Sequence, residues 1–416
     1  MKPLELPRLL PDPPTGHPAS LIEHLERHGP RPSCAGGRRR REELVDETGR
    51  AGLAGRGGAA FPTAVKLRAL ARAGRVPLVV ANGVEGEPAS AKDKVLLACA
   101  PHLVLDGAAC AAELVGADQA VIVVHRAVRE IVSRAAGERL RAGCDQAPIR
   151  VMPAASGFTA GESSAVVHWV ERGRPTPTGR PPRLGGAGRG ARPALVQNVE
   201  TLAHLALIIR HGADWFRSAG TPAEPGSRLV TLLGAVRHPG VYEVTAGTPV
   251  GGLLDRAGGT SAPLGALLIG GYFGTWARPA VTVPLPFSAA GLAPAGASTG
   301  AGVVAALPRT ACGLAETARV TRYLAASSAG QCGPCVFGLD AIAGQLERLA
   351  AGRPIDLARI RRWLASVTGR GACRHPDGTA VMVASALDVF RPEIELHTSG
   401  RCSASDPPGV LPVGPS

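Results

Sequence analysis

PLVVANGVEGEP, residues 77–88, is the stretch on which the fold turns. Its first five residues form an apolar run too short for a helix, bounded by Pro77 and by Asn82-Gly83, as expected of a buried strand. ADQAVIVVH at 117–125 and APIRVMP at 147–153 repeat the pattern, with helical periodicity at 101–115 and 128–141 between them. Such alternation predicts an α/β fold, a mainly parallel sheet with helices packed on it. The remainder of the quoted stretch, an acidic glycine turn, then leaves the end of a strand, where ligands of open α/β sheets bind.

Working outward, the α/β region is read as residues 50–215. Residues 1–49 are Pro- and Arg-rich with one short helical stretch at 20–28, and read as a lead-in outside the main fold. RGRPTPTGRPPRLGGAGRGAR at 172–192 reads as a long loop and 199–211 as a helix. Over 226–285 the pattern changes to short strands around one helix at 249–257, predicting a small β-rich domain, whereas 286–308 is a Gly/Ala/Pro loop with little pattern. Leu339, Ile342, Leu346 and Leu349, then Leu357, Ile360 and Leu364, recur at helical spacing, so 309–400 predicts a helical bundle. The tail, 401–416, is Pro/Gly/Ser-rich and is expected to be disordered.

Length and composition suit a folded protein of several domains rather than a disordered one. No apolar run is long enough to cross a membrane and the N-terminus lacks an apolar signal core, so no span and no export are expected, and the location is expected to be cytoplasmic. A net charge of +13 raises nucleic acid as a partner. That reading is set aside: the excess is scattered Arg, aromatics for base stacking are scarce, and the one dense run, Arg38 to Arg41, reads as a solvated turn or helix start. The lysines are more telling. There are only Lys2, Lys66, Lys92 and Lys94, and three of them fall beside Gly-rich or acidic motifs, where a compact ammonium differs from a guanidinium in reach and donor geometry.

Four motifs carry chemistry. In Gly55-Arg56-Gly57-Gly58-Ala59-Ala60-Phe61-Pro62-Thr63 the glycines let backbone N–H groups approach a ligand, Pro62-Thr63 can open a helix whose N-terminus favours phosphate, and Arg56 and Lys66 add charge. In Asn82-Gly83-Val84-Glu85-Gly86-Glu87 two carboxylates stand at i and i+2, able to accept hydrogen bonds from ribose hydroxyls or ring N–H groups. Gly157-Phe158-Thr159-Ala160-Gly161-Glu162-Ser163 is a second glycine–acid turn. Cys332-Gly333-Pro334-Cys335, with Cys373 beyond a helical hairpin, offers thiolates to one metal centre; a redox dithiol and a zinc site are the rivals. Cys34, Cys99, Cys110, Cys144 and Cys402 stand alone in sequence and read as ordinary small residues.

Together these motifs resemble the NADH-oxidising flavoprotein subunit family of respiratory complex I and the diaphorase subunits of related hydrogenases and formate dehydrogenases. Gly55 to Lys66, Asn82 to Lys94, Gly157 to Ser163, Gln197-Asn198-Val199-Glu200-Thr201 and Ala329 to Cys335 occur in the family's order across roughly residues 50–400. The resemblance implies a Rossmann-like FMN-binding domain, a β-grasp domain of the SLBB type and a helical iron–sulfur domain. It places Gly55, Arg56, Gly57, Gly58, Lys66, Asn82, Glu85, Phe158, Gly161, Glu162 and Asn198 around FMN, with Glu85 as the catalytic candidate. Phe61 and Glu87 would meet NADH through adenine stacking and ribose hydroxyls. The implied activity passes hydride from NADH to FMN and single electrons through an iron–sulfur cluster to a protein acceptor. A ferredoxin-like or other redox partner is implied, as is peripheral attachment to a larger, membrane-associated complex.

The chain departs from the family pattern at several positions. Ala60 and Ala64 replace glycines, Val84 an Asp, Phe158 a Tyr, Ser163 a Glu and Gln197 an Asn. Ala329 replaces the first cluster cysteine, leaving Cys332, Cys335 and Cys373. The cluster is then [4Fe-4S] with a fourth ligand from Ser328, Cys312 or an exogenous group, or it is [3Fe-4S]. The alternative function is a diverged iron–sulfur electron-transfer or scaffold subunit that no longer oxidises NADH.

Overall fold

The computed structural model describes residues 6–11, 17–34, 36–179 and 192–414. The chain runs through α1 (Leu21–His28), α2 (Gly37–Ala51), α3 (Thr63–Ala71), β1 (Leu78–Gly83), α4 (Lys92–Cys99), α5 (Pro101–Val115), β2 (Ala120–Val124), α6 (Arg129–Arg141), β3 (Ile149–Pro153), α7 (Ser163–Arg172), β4 (Ala194–Asn198) and α8 (Val199–Arg217). These build a parallel sheet of order β3-β2-β1-β4. The chain's direction across the sheet reverses between β1 and β4, so the crevice beyond their carboxyl ends is the ligand position for such a sheet. Asn82 and Asn198 are register partners there. Helix α5 is apolar almost all round and accordingly central, packed under β1 and against α8.

A second sheet follows, built from β5 (Ser227–Gly234), β6 (Gly240–Thr245), α9 (Val250–Arg256), β7 (Leu264–Ile269), β8 (Thr275–Ala277), the short helices α10 (Pro279–Thr282) and α11 (Ala289–Leu292), and β9 (Val303–Pro308). Its order is β6-β5-β9-β7-β8, with β5 and β9 parallel and the other pairs antiparallel. The C-terminal bundle comprises α12 (Gly313–Ala326), a wide helical turn at Pro334–Leu339, α13 (Asp340–Ala350), α14 (Leu357–Val367), α15 (His375–Val389) and α16 (Arg391–Thr398).

Three expectations are corrected. The described part of the expected lead-in, residues 6–11, 17–34 and 36–49, packs on the main fold. Ser20 and Glu23 cap α1 reciprocally, α2 buries Leu44, Val45, Thr48 and Ala51 against the main core, and the Leu9 N–H donates to Glu243 of β6 at 2.8 Å. The patternless loop at 286–308 contains β9, the strand that takes the centre of the second sheet; its first five residues, VVAAL, are all buried and so show no alternation. The tail expected to be disordered is docked through residue 414. Leu411 is buried, the N–H groups of Gly409, Val410 and Leu411 donate to the Glu316 carboxylate, and the Tyr272 hydroxyl donates to the Pro412 carbonyl. Residues 415–416, like most of the expected loop at 172–192, lie outside the described residues. Arg38 and Arg39 stand exposed in the first turn of α2, paired with Glu42 and Glu43 one turn on, as a solvated helix start would be.

Candidate functional site

One cavity of about 600 Å³ opens where β1 and β4 end, a size typical of cofactor pockets, roughly 300–1,000 Å³. Gly55, Arg56, Gly57, Gly58, Phe61, Lys66, Asn82, Glu85, Glu87, Phe158, Gly161, Glu162 and Asn198 all line it, as do Cys373 and His375. The Arg56 loop and the Glu85 turn therefore face each other across a single cleft.

Each motif is held by its own local chemistry. The glycine loop is closed by the Gly55 N–H on the Phe61 carbonyl at 2.9 Å and anchored by the Arg56 N–H on Thr201 Oγ1 at 2.8 Å. Ala60, where the family has glycine, sits at φ 48°, a left-handed conformation that strains an alanine by about 1–2 kcal/mol. The Arg56 guanidinium runs into the protein, donating to the Pro225 carbonyl at 3.2 Å, and burial followed by repulsion from Arg228 pushes its pKa down to about 10. Lys66, unlike the carboxylate-paired Lys92 and Arg374 of the same wall, keeps its charge available to the cavity. Its Nζ donates to the Val196 carbonyl at 3.3 Å, no carboxylate pairs with it among the described residues, and burial lowers its pKa.

The acidic turn is built differently from its sequence reading. Glu85, at φ 45°, places its carboxylate over the start of α4, accepting from the N–H groups of Asp93 at 3.0 Å and Lys94 at 2.9 Å and from Ser90 Oγ at 2.6 Å. Its oxygens are taken up by the N-terminus of α4, where they hold the acidic turn in place at the cavity wall. Glu87 accepts from the Tyr272 N–H at 2.7 Å. Burial chiefly, opposed by that bond and helped by Glu85, pushes its carboxyl up to about 8. Gly86 between them admits no side chain, because a Cβ there would stand 2.8 Å from the Phe158 carbonyl; the two glycine–acid turns touch backbone to backbone. Glu162 caps α7, accepting from the N–H groups of Ser164 at 2.8 Å and Ala165 at 3.0 Å. Val84, in place of the family's Asp, turns into an apolar cluster with Val80, Val121, Val123 and Ala160 and leaves the cavity wall intact.

Sequence reasoning missed part of the wall. Lys92 and Asp93 line the cavity, and the buried Lys92 Nζ donates to Asp93 Oδ1 at 2.7 Å, Glu200 Oε2 at 2.9 Å and Asn198 Oδ1 at 3.4 Å. Burial alone would lower its pKa; Asp93 and Glu200 outweigh that and hold it above the ordinary value. In sequence Lys92 and Asp93 stood only as the end of the Asn82 to Lys94 motif, with no place of their own in the site. Gly270, Phe273, Ser298, Gly300 and Ala301 of the second sheet complete the opposite wall, and no local motif announced them.

The three sequence-predicted metal ligands sit at helix starts beside this cavity. Cys332 precedes the wide turn and its carbonyl accepts from the Cys335 and Val336 N–H groups at 3.1 and 3.0 Å, while Cys373 precedes α15 and lines the cavity. Burial first, then the neighbouring Cys332 and Cys373, pushes the Cys335 thiol up to about 12, so these thiols share one locality. Cys312 is elsewhere, its Sγ 3.5 Å from His397 Nε2, which removes it as the fourth cluster ligand. The donor set fits both implied groups. Gln197 Nε2, in the cavity wall, is a buried donor with no hydrogen-bond partner among the described residues, Lys66 can meet an anion, and three thiols can hold three corners of an iron–sulfur cluster.

The chain matches the model of the Nuo51 FMN-binding domain over residues 49–207, of the SLBB domain over 229–267 and of the NADH-ubiquinone oxidoreductase-F iron–sulfur binding region over 310–397. It is 32% identical over 389 residues to the F subunit of NADH-quinone oxidoreductase from Streptomyces coelicolor, covering 88% of this chain and 85% of the relative. It is 31% identical over 396 residues to the F subunit of the same enzyme from Mycobacterium tuberculosis, covering 88% and 87%. Among solved structures it resembles a chain of NAD+-reducing [NiFe]-hydrogenase in the air-oxidized state, with a TM-score of 0.80 and 29% identity over 90% of this chain; it spans 64% of that longer chain. The α/β domain is thus an FMN-binding domain, the second sheet an SLBB domain and the bundle an iron–sulfur region. On these matches, the chain belongs to the family of NADH-quinone oxidoreductase F subunits.

Proposed function

We propose that the chain is an NADH:acceptor oxidoreductase of the diaphorase type. The observation that carries this is the shared cavity: the glycine loop, the acidic turn, Asn198 and the cluster residue Cys373 all open on it. Bound FMN supplies a two-electron acceptor for hydride that can release electrons singly, and the cluster supplies a one-electron carrier. The chain's own residues do the rest. Lys66 and the start of α3 offer positive charge for a phosphate. Asn82 is fixed by its Nδ2 on the Gly161 carbonyl at 2.9 Å, and Asn198 by its Nδ2 on Asp93 at 2.6 Å, so the floor is rigid. Phe61 offers a ring for adenine and Glu87 a carboxylate for ribose hydroxyls at the cavity's edge.

Domain limits of 50–215, 226–308 and 309–414 fit this reading, with the described residues 6–11, 17–34 and 36–49 packed beside the first. A ferredoxin-like protein is the acceptor that a one-electron carrier near the surface fits. Among the described residues no single helix is long and apolar enough to cross a membrane, and we place the protein in the cytoplasm, held to any membrane through other subunits.

Anaerobically purified protein is the test. It should release flavin on denaturation and bleach on addition of NADH. Brown protein that releases no flavin would sink this reading in favour of an iron–sulfur subunit without NADH chemistry.

A further inference from the structure

Four side chains far apart in sequence meet at the foot of the C-terminal bundle. Cys312 caps α12, Glu393 and His397 stand one turn apart on α16, and Cys402 follows that helix; one ligand atom from each lies within 4.8 Å of all the others. Cys312 Sγ is 3.5 Å from His397 Nε2, and His397 Nε2 is 3.2 Å from Glu393 Oε1. Around a tetrahedral zinc ion, metal–ligand lengths of about 2.3 Å to sulfur and about 2.0 Å to nitrogen and oxygen give S···N and N···O edges of about 3.5 and about 3.3 Å. Both separations match.

The surroundings match as well. His397 turns its other ring nitrogen, Nδ1, to the Leu349 carbonyl at 3.0 Å, the orientation by which a ligating imidazole is fixed. Cys312 Sγ accepts from the Ala315 N–H and Cys402 Sγ from the Ala404 N–H, each at 3.4 Å, so each sulfur has a donor suited to a thiolate. Two cysteines, a histidine and a carboxylate fill four positions and leave none open, which is the form of a structural site. His397 is 3% exposed, so the set is closed on the inside and reached from the Cys402 side.

We propose that Cys312, Glu393, His397 and Cys402 form a tetrahedral structural zinc site, separate from the cluster cysteines, that fastens the C-terminal segment to the start of α12. The test uses the full chain, expressed with added zinc, purified anaerobically with flavin and cluster, beside Cys402→Ser. Cys402 is exposed and follows the last helix, so its loss spares the folded core.

Elemental analysis should find zinc near one per chain in the parent. Cys402→Ser should bind zinc at least about tenfold more weakly against a competing chelator, with iron and flavin content unchanged. Cobalt in place of zinc should show the intense visible bands of a tetrahedral thiolate complex. Zinc absent from the zinc-loaded parent overturns the proposal. So does zinc kept by Cys402→Ser but lost in Cys332→Ser, which would put the metal on the cluster thiols. A Cys312–Cys402 disulfide in a non-reducing peptide map also overturns it.

Discussion

Replacing Lys92 by Met tests the electrostatics on which the cavity floor rests. The side chain keeps its length and loses its charge. Lys92 Nζ joins Asp93, Glu200 and Asn198, and Glu200, 1% exposed, also accepts the Leu229 N–H of β5 at 2.9 Å. Without the ammonium two buried carboxylates face each other uncompensated. Breaking a buried pair from one side costs about 3–5 kcal/mol, or roughly two to four orders of magnitude in the folded-to-unfolded ratio. Asp93, whose carboxyl burial already pushes up to about 6 in the parent, would relieve this by taking up a proton, so its folded pKa rises further above the unfolded one. Groups shifted that way contribute stability at low pH that is lost as pH rises, so the deficit should be small near about pH 4 and complete above about pH 7. In the parent Lys92 is itself shifted up, and its contribution persists until the pH climbs beyond the ordinary lysine range. Urea midpoints followed by circular dichroism across that range give the measurement. A Lys92→Met protein within about 1 kcal/mol of the parent at neutral pH, or a deficit that does not change with pH, would refute the reasoning.

Glu87→Gln removes a carboxyl held near 8 by burial; because that folded value lies above the unfolded one, parent stability falls as pH rises toward about 8, and the variant should melt higher than the parent above it while matching it in mild acid. The KM for NADH of the parent should improve as pH rises through the same value, and that step should vanish in the variant. Ala329→Cys supplies the missing thiolate, so oxidant and chelator should convert the parent's cluster, but not the variant's, to the three-iron form seen by EPR. Gly107→Ala would set a Cβ 1.9 Å from the Leu202 carbonyl oxygen where α5 crosses α8, and should cost about 3 kcal/mol or more, read as loss of soluble protein or a large drop in the unfolding midpoint.

What could be read before the structure was whatever is written contiguously. The glycine loop and the acidic turn are each a few residues long and sit where a strand ends, so position and chemistry coincide at PLVVANG. Lys92 was legible as part of the motif after the acidic turn but not as a buried ion pair, because its partners Asn198 and Glu200 lie more than a hundred residues away. Gly270, Ser298 and Gly300 face the cavity through backbone and small side chains, which carry no periodic signal. β9 is short and covered on both faces, and Gly and Ala around it hide its edges. Helix α2 buries a stripe of only four side chains beneath a charged surface, so its polar composition masks its place in the core. Cys312 and Cys402 stand alone in sequence, and only the return of α16 to the head of α12 unites them.

Tyr272 is a strut with both ends loaded. Its backbone N–H holds Glu87, and its hydroxyl is held by Pro412 near the far end of the chain. Slack introduced at the terminus is thereby transmitted to the nucleotide edge of the cavity, so a protease cut after the exposed Arg401 should weaken NADH affinity while leaving flavin in place, and titration of nicked against intact protein would show it. Anything that grips residues 409–412, whether an affinity tag or a neighbouring protein, holds a handle on the Glu87 carboxylate.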